Sequence, residues 1–295
     1  MNELIDFSSA KINPLRMYGG ANGTKIGVAF EGETYMLKFA PKANKNNELS
    51  YANSCISEYV ACHIVKSLGV EVQETQLGTY QHKMVVACKD FQSDGFVLSE
   101  FAHLKNTIID SEQNGYGTEL NDILDTISQQ QIYSPAKLED FFWRMFVIDA
   151  FLGNFDRHNG NWGFLINHQS GVAQIAPIYD CGSCLYPQID ESKMKLVMDN
   201  PSEMEERIYT YPTSAIKNEH KKINYFQFLV ETKHEGCIRA LSDISSSINL
   251  NQINEIIDNT PRISELHQAF LKFVIKERKE KLIDLAMQMR GGQRK

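Results

Sequence analysis

The residues best suited to chemistry lie in two short clusters. One is Asp156-Arg157-His158-Asn159-Gly160-Asn161, and the other is Ile178-Tyr179-Asp180-Cys181-Gly182. Phosphoryl transfer needs a carboxylate to take the proton of an attacking hydroxyl. It also needs an amide oxygen and a second carboxylate to hold divalent metal against the phosphates. Asp156 and Asn161 share one stretch with four residues between them, and Asp180 opens the next loop with Gly182 two residues on. Asp156 is therefore the candidate base, and Asn161 and Asp180 are the candidate Mg²⁺ ligands, because Mg²⁺ favours a few hard oxygens completed by phosphate and water. His158 lies inside the first cluster, where it can orient Asp156 or a phosphate. Asp and Asn also fill loops for purely structural reasons, as caps and turn formers. The chemical reading rests on their placement in two loops flanking one hairpin, directly after an apolar helix.

Two further features fit the same chemistry. Tyr18-Gly19-Gly20-Ala21-Asn22-Gly23-Thr24-Lys25 is glycine-rich and precedes a β-prone run. Without a Cβ, glycine lets backbone N–H groups come close to phosphate oxygens, so Gly20, Ala21, Asn22, Gly23, Thr24 and Lys25 are candidate contacts to ATP. No Gly-Lys-Ser/Thr opens a helix here, so this is not a Walker A loop; by composition alone it also fits a surface turn. Lys38 interrupts the apolar run Tyr35-Met36-Leu37-Lys38-Phe39. A strand lysine of this kind in protein kinases meets the α- and β-phosphates and pairs with a glutamate on the following helix. Glu58 is the expected partner, with Glu48 as the second candidate. Cys181 and Cys184 form a C-x-x-C without a second pair, which does not make a zinc site.

The elements that must position these residues are legible in outline. Ile26–Phe30 and Thr34–Phe39 read as strands around Glu31-Gly32-Glu33. Glu48–Leu68 reads as a helix stopped by Gly69. Strands follow at Val72–Tyr80, Met84–Lys89 and Gly95–Leu98. Ser134-Pro135 opens a helix to Leu152 that is apolar nearly all round and hence buried. Trp162–Ile166 and Val172–Tyr179 read as strands around Ser170-Gly171, and Thr260-Pro261 reads as the start of a last helix. The expected fold class is α+β, with a β-rich N-terminal lobe (1–99), a mainly helical C-terminal lobe (100–295), and a cleft where ligands prefer to sit.

The bulk numbers exclude several classes. The chain has 295 residues, 42% hydrophobic and 23% charged, an ordinary globular balance. A net charge of -7 argues against direct nucleic-acid binding, which favours a basic excess. Six cysteines are too few and too scattered for a disulfide scaffold, which suits a reducing compartment. Met1–Ala10 lacks the apolar run of a signal peptide. Phe141–Phe151 is broken by Arg144 and Asp149, well short of the ~20 apolar residues of a membrane span.

On Gly20–Lys25, Tyr35–Phe39, Asn154–Asn161 and Ala176-Pro177-Ile178-Tyr179-Asp180-Cys181-Gly182-Ser183, the chain resembles the HipA family of bacterial toxin kinases. Within that family it is similar to the compact, cell-translocating CtkA type, from about Tyr18 to Pro187. The resemblance implies a bilobal protein-kinase-like fold, ATP and Mg²⁺, and phosphorylation of Ser or Thr on a protein substrate, with autophosphorylation. It maps the base to Asp156, metal to Asn161 and Asp180, phosphate contact to Lys38, and the adenine-facing hinge to Glu100 and Phe101. It also implies an antitoxin-type regulator, although the N-terminal subdomain of full-length HipA toxins has no counterpart before the glycine cluster. The family's regulatory serine has no match in Arg16-Met17-Tyr18-Gly19, which leaves Thr24, Ser8 and Ser9 as candidates. The implied location is cytoplasmic, or a host cell reached without a classical signal peptide.

Two other readings stand beside this one. Asp-Arg-His-Asn-x-Asn also describes phosphoinositide-type lipid kinases, but the segment after Asp180 carries Asp190 and Glu191 rather than a basic headgroup site. A pseudokinase acting as a nucleotide-binding module would not need competent side chains at Lys38, Glu58, Asp156, Asn161 and Asp180 together.

Overall fold

Side-chain alternation along two strands decides which way Lys38 faces. The structure, a computed structural model, describes residues 4–14, 16, 25–40, 53–92, 95–109 and 113–292. Two short strands, β1 (Ile5–Asp6) and β2 (Lys11–Ile12), are followed by β3 (Lys25–Phe30) and β4 (Glu33–Phe39). The β3–β4 turn is Glu31-Gly32, at φ 50° and 85°, the left-handed pair that a tight hairpin requires. Helix α1 (Ser54–Ser67) leads to the hairpin β5 (Thr75–Tyr80) and β6 (Lys83–Lys89). The strands form a sheet of order β1-β5-β6-β4-β3-β2. On one face Leu37, Val85 and Ala87 pack with Phe7. On the other, Leu77, Val86 and Cys88 pack with Cys55 of α1. Because successive strand residues point to opposite faces, Lys38, next to Leu37 and in register with Val86, belongs to the α1 face. The expected helix from Glu48 is described from Ser54; Glu48 itself lies outside the described residues.

The strand expected at Gly95–Leu98 is β7 (Phe96–Glu100), and it does not join this sheet. It pairs with β8 (Gly163–Asn167), which pairs with β9 (Val172–Ile175). β9 stops short of the expected Tyr179, since Pro177 supplies no N–H for a ladder. Between β7 and β8 lie α2 (Phe101–Ile108), α3 (Leu120–Gln129) and α4 (Pro135–Leu152). α4 starts with proline at its first position and ends on Gly153 in the left-handed region, φ 69°. Its last carbonyls are taken by a buried arginine from far along the chain: Arg278 Nε donates to Phe151 O at 3.0 Å and Nη2 to Ala150 O at 2.6 Å.

The rest is mainly helical: α5 (Glu191–Asp199), α6 (Pro201–Tyr209), a hairpin of β10 (Thr213–Asn218) and β11 (Lys221–Asn224), α7 (Tyr225–Glu231), α8 (Glu235–Ser247), α9 (Leu250–Asp258), α10 (Glu265–Arg278) and α11 (Leu285–Gly292). α10 passes into α11 through one π-helical stretch, Lys279–Asp284. Thr260-Pro261 does not open α10, which starts at Glu265. The Thr260 hydroxyl instead donates to Ile256 O at 2.9 Å, closing α9.

Cα proximity divides the chain into two units. The first comprises Met1–Phe91, Asp180–Asn200 and Asn249–Phe273; the second comprises Gln92–Tyr179, Pro201–Ile248 and Val274–Lys295. A linear division at residue 99 leaves two later segments out of the first unit. Asn53 ties one of them in, donating from its backbone N–H to Pro187 O and from Nδ2 to Ile189 O, and α1 lies against α9. Among the described residues no helix is long and apolar enough to cross a membrane.

Candidate active site

The first unit carries a buried cation shared by two carboxylates. Lys38 Nζ donates to Glu58 Oε1 and Oε2, both at 2.9 Å, and to Asp180 Oδ1 at 2.8 Å. Glu58 is 2% exposed, on the inner face of α1. Its Oε1 also accepts from the Cys181 N–H at 3.2 Å, which fixes the start of the segment after Asp180. A Cβ at Gly182 would come within 3.0 Å of Glu58 Oε2, so glycine is what lets that segment pass the carboxylate. Asp180 has φ 57°, a left-handed conformation that costs a non-glycine residue some strain but that Asp enters more readily than most. Burial by itself would lower the Lys38 pKa. Asp180 and Glu58 outweigh it and hold the ammonium well above its ordinary range. Burial raises the Glu58 carboxyl, and the Lys38 charge opposes that rise.

The second unit carries the Asp156 loop, and Arg157 is its centre. Arg157 and Asp149 are both 2% exposed. Arg157 Nε donates to Asp149 Oδ2 at 3.0 Å, and Nη2 donates to Oδ1 at 3.2 Å. Nη1 donates to Asn161 O at 2.8 Å and also to Tyr179 O. One planar guanidinium thus joins α4, the loop and the end of the segment before Asp180, a task suited to its fixed fork of donors. Asn154 Nδ2 donates to Asp149 Oδ1 at 2.8 Å, while its Oδ1 accepts from the Asp156 N–H at 3.0 Å. Asn161 Nδ2 donates to Asp156 O at 2.8 Å. With its nitrogen committed, the Asn161 side chain is left with its oxygen, the atom that a hard cation takes.

The remaining predicted residues fall as follows. Gly20, Ala21, Asn22, Gly23 and Thr24 lie outside the described residues. Lys25 is the first residue of β3, directly across the ladder from Lys38. His158 Nδ1 accepts the Gly160 N–H at 3.0 Å, so this ring shapes its own loop. Glu100 ends β7 and accepts from the Tyr116 hydroxyl at 2.7 Å. Phe101 is buried and stacked on Trp162 at 3.9 Å and 17°; its N–H donates to Trp162 O at 2.9 Å. Gly163 permits that close junction, since a Cβ there would meet Ser99 O at 2.2 Å.

Sequence reasoning assigned no role to Asp149, Asn154, Asn159 or Tyr225. Asn159 Nδ2 donates to Gly115 O at 2.9 Å and Gly117 O at 2.8 Å, and the Tyr225 hydroxyl donates to Asn154 O at 2.6 Å. For Asp149 a signal existed. A carboxylate inside an otherwise apolar helix must be paired when buried, and Arg157 was the nearest cation after it.

The model of the HipA-like C-terminal domain matches residues 17–257. The serine/threonine-protein kinase CtkA of Helicobacter pylori strain J99 is 53% identical over 283 residues, spanning 96% of this chain and 87% of that protein. The crystal structure of the H. pylori proinflammatory kinase CtkA superposes with a TM-score of 0.94 at 51% identity, covering 99% of both chains. The HipA toxin of Shewanella oneidensis MR-1, solved with HipB and operator DNA, shares the fold with a TM-score of 0.57 at 14% identity, covering 95% of this chain and 70% of that one. This chain belongs to the HipA-like C-terminal domain family.

Proposed function

We propose that the chain is an ATP- and Mg²⁺-dependent serine/threonine-protein kinase of the HipA and CtkA type. The observation that carries the reading is Lys38, buried, doubly bonded to Glu58 and bonded again to Asp180. A lysine kept charged in this way is a fixed donor for phosphate oxygens. The 53% identity to a protein named as such a kinase supports it. The donor chemistry fits the nucleotide and its metal. One carboxylate and one amide oxygen, completed by phosphate and water, suit a hard cation such as Mg²⁺.

In this reading Asp156 accepts the proton of a substrate Ser or Thr hydroxyl. Asn161 and Asp180 are the protein ligands to Mg²⁺. Lys38 holds the phosphates with Gly20–Lys25, and Glu58 positions Lys38. Glu100 and Phe101 meet the adenine through backbone carbonyls, since the Phe101 N–H already donates to Trp162 O. Bound Mg·ATP supplies the phosphoryl group and neutralises its developing charge. Autophosphorylation, an antitoxin-type regulator, and action in the cytoplasm or in a host cell belong to the same reading.

The test is incubation of the purified protein with γ-labelled ATP and Mg²⁺ beside Asp156→Ala, following label on the protein and on myelin basic protein. Label on the wild type alone is the expected result. Equal label on both proteins, or label only on a phosphoinositide panel, refutes the reading.

A further inference from the structure

An exposed aromatic side chain stands beside the Asp156 loop, and that loop sets its place. The buried Asn159 amide holds the carbonyls on either side of Tyr116, donating from Nδ2 to Gly115 O at 2.9 Å and to Gly117 O at 2.8 Å. Tyr116 itself is 44% exposed. Its hydroxyl donates to Glu100 Oε2 at 2.7 Å, and its ring meets the His158 ring edge to face, with centroids 6.4 Å apart. Glu100 and His158 converge over Gly160, where a Cβ would lie 3.1 Å from Glu100 Oε2 and 2.9 Å from His158 Cε1. We propose that Glu100 and Tyr116 form a subsite for an arginine side chain of the protein substrate, a few residues from the serine or threonine that is phosphorylated. This rests on the kinase reading above and adds the class of substrate to it.

The first argument is charge. Glu100 is half-buried, and among the described residues it has no cation within ion-pair distance; its partner is the neutral Tyr116 hydroxyl. That bond raises the Tyr116 phenol pKa, which keeps the hydroxyl protonated and donating. A carboxylate has about four acceptor positions, so Oε1 and the rest of Oε2 remain for a ligand. A sugar hydroxyl would leave the negative charge unmatched. A guanidinium matches it and lays its plane on the exposed phenol ring.

The second argument is fixed spacing. The Ala102 N–H donates to Asn159 O at 2.9 Å, and the His158 N–H donates to Asp156 O at 2.9 Å. Together with the two bonds from Asn159 Nδ2, these tie Glu100, Tyr116 and the proposed base to one loop inside one unit. An exposed ring held this firmly without being packed is suited to meeting a ligand. An extended peptide advances ~3.3 Å per residue, so a fixed distance from Asp156 becomes a fixed position for arginine in the substrate sequence. Holding that arginine aligns the acceptor hydroxyl.

The test is phosphorylation of serine peptides in which arginine is scanned through each position on either side of the acceptor. At each position it is compared with alanine and with citrulline, which has the same shape and no charge. At one position arginine should raise kcat/KM on the order of three- to tenfold over both. Glu100→Gln should abolish this preference, and Glu100→Arg should invert it in favour of glutamate at the same position. The preference is a ratio within each variant, so changes in ATP handling cancel. Tyr116→Leu, at an exposed position, should reduce the preference and serves should the Glu100 variants not fold. Labelling of myelin basic protein with no peptide position favouring arginine overturns the proposal and leaves the kinase reading standing. An equal gain from citrulline overturns it too, as does a preference that survives Glu100→Gln while KM for ATP rises, which would place the carboxylate on the ribose. A chain that labels neither peptides nor myelin basic protein fails the kinase reading, and this proposal with it.

Discussion

Asp149 and Arg157 face each other as a buried, two-point ion pair, with Arg157 Nε 3.0 Å from Oδ2 and Nη2 3.2 Å from Oδ1 of Asp149. The same guanidinium holds the carbonyls of Asn161 and Tyr179. Removing one partner leaves an uncompensated buried charge, which costs about 3–5 kcal/mol. Arg157→Met should therefore lower the unfolding free energy by roughly that amount and abolish phosphoryl transfer, because the Asp156 loop loses its tie. Asp149→Asn keeps the shape but strands the buried Arg157 guanidinium, which cannot neutralise itself, and should lose at least as much stability. Denaturant unfolding of both variants checks this; an Arg157→Met protein as stable as the wild type would refute the role given to the pair.

The Lys38–Glu58 pair predicts an alkaline signature. The folded Lys38 pKa is raised above its ordinary 10.5, so its contribution to stability is fully present below 10.5 and is lost as pH rises through the higher folded value. Glu58→Gln keeps the side-chain shape and an acceptor for the Cys181 N–H, but leaves only Asp180 to hold the ammonium. The Lys38 pKa then falls back towards 10.5, and less stability is at stake in the variant. The gap in thermal midpoint between wild type and Glu58→Gln should be constant below 10.5 and should narrow as pH rises above it, since other lysines and tyrosines cancel in the difference. A gap that does not narrow above 10.5 would show that Glu58 does not hold the lysine charged.

Part of this arrangement was readable in the sequence. Lys38 and Glu58 were named as partners, and Asp180, named for another role, meets them at one ammonium; Asp156 and Asn161 were named together on one loop, where the Asn161 amide donates to Asp156 O. α4 was legible end to end, since Pro135 and Gly153 mark its limits in local chemistry. What was not legible depends on long-range partners. β7 reads as another strand of the first sheet, and only its pairing with β8 assigns it elsewhere. Arg278 looks like part of a solvated, mixed-charge helix face, yet it is 1% exposed, because the carbonyls it caps belong to a helix more than a hundred residues earlier. Thr260-Pro261 has the composition of a helix start, but its hydroxyl was used to end the preceding helix.

Asp156 and Asp180 should separate kinetically. Asp156 is proposed as the base, so Asp156→Ala should leave affinity for Mg·ATP within a few-fold and reduce transfer by about 10²–10⁴, the range for a general base. Asp180→Ala removes both a proposed metal ligand and an anion bonded to Lys38 at 2.8 Å, so metal-dependent nucleotide affinity should fall together with transfer. Calorimetric titration of each variant, with and without Mg²⁺, beside a labelled-phosphate assay distinguishes them. Indistinguishable nucleotide affinities for the two variants would remove the division of roles.

His267 predicts an acid limb for stability that is independent of catalysis. It lies in α10, 6% exposed, and burial lowers its pKa from 6.5 to about 4, with Glu191 opposing. The N–H of His267 donates to Ser264 Oγ at 3.2 Å, and that hydroxyl donates to Glu191 Oε1 at 2.9 Å. Above pH 6.5 the ring is neutral whether folded or unfolded, and no stability is at stake. As pH falls from 6.5 towards 4 the unfolded chain takes up a proton that the folded one refuses, so stability drops across that window. The shift corresponds to a loss of roughly 3 kcal/mol by the lower end. His267→Phe cannot take up the proton and should flatten this part of the profile while keeping the packing. Unfolding free energies of both proteins measured at about half-unit steps from pH 7 to 4 give the comparison. Parallel profiles would show that His267 is not the group that titrates, and a steeper loss in His267→Phe would reverse the sign of the argument.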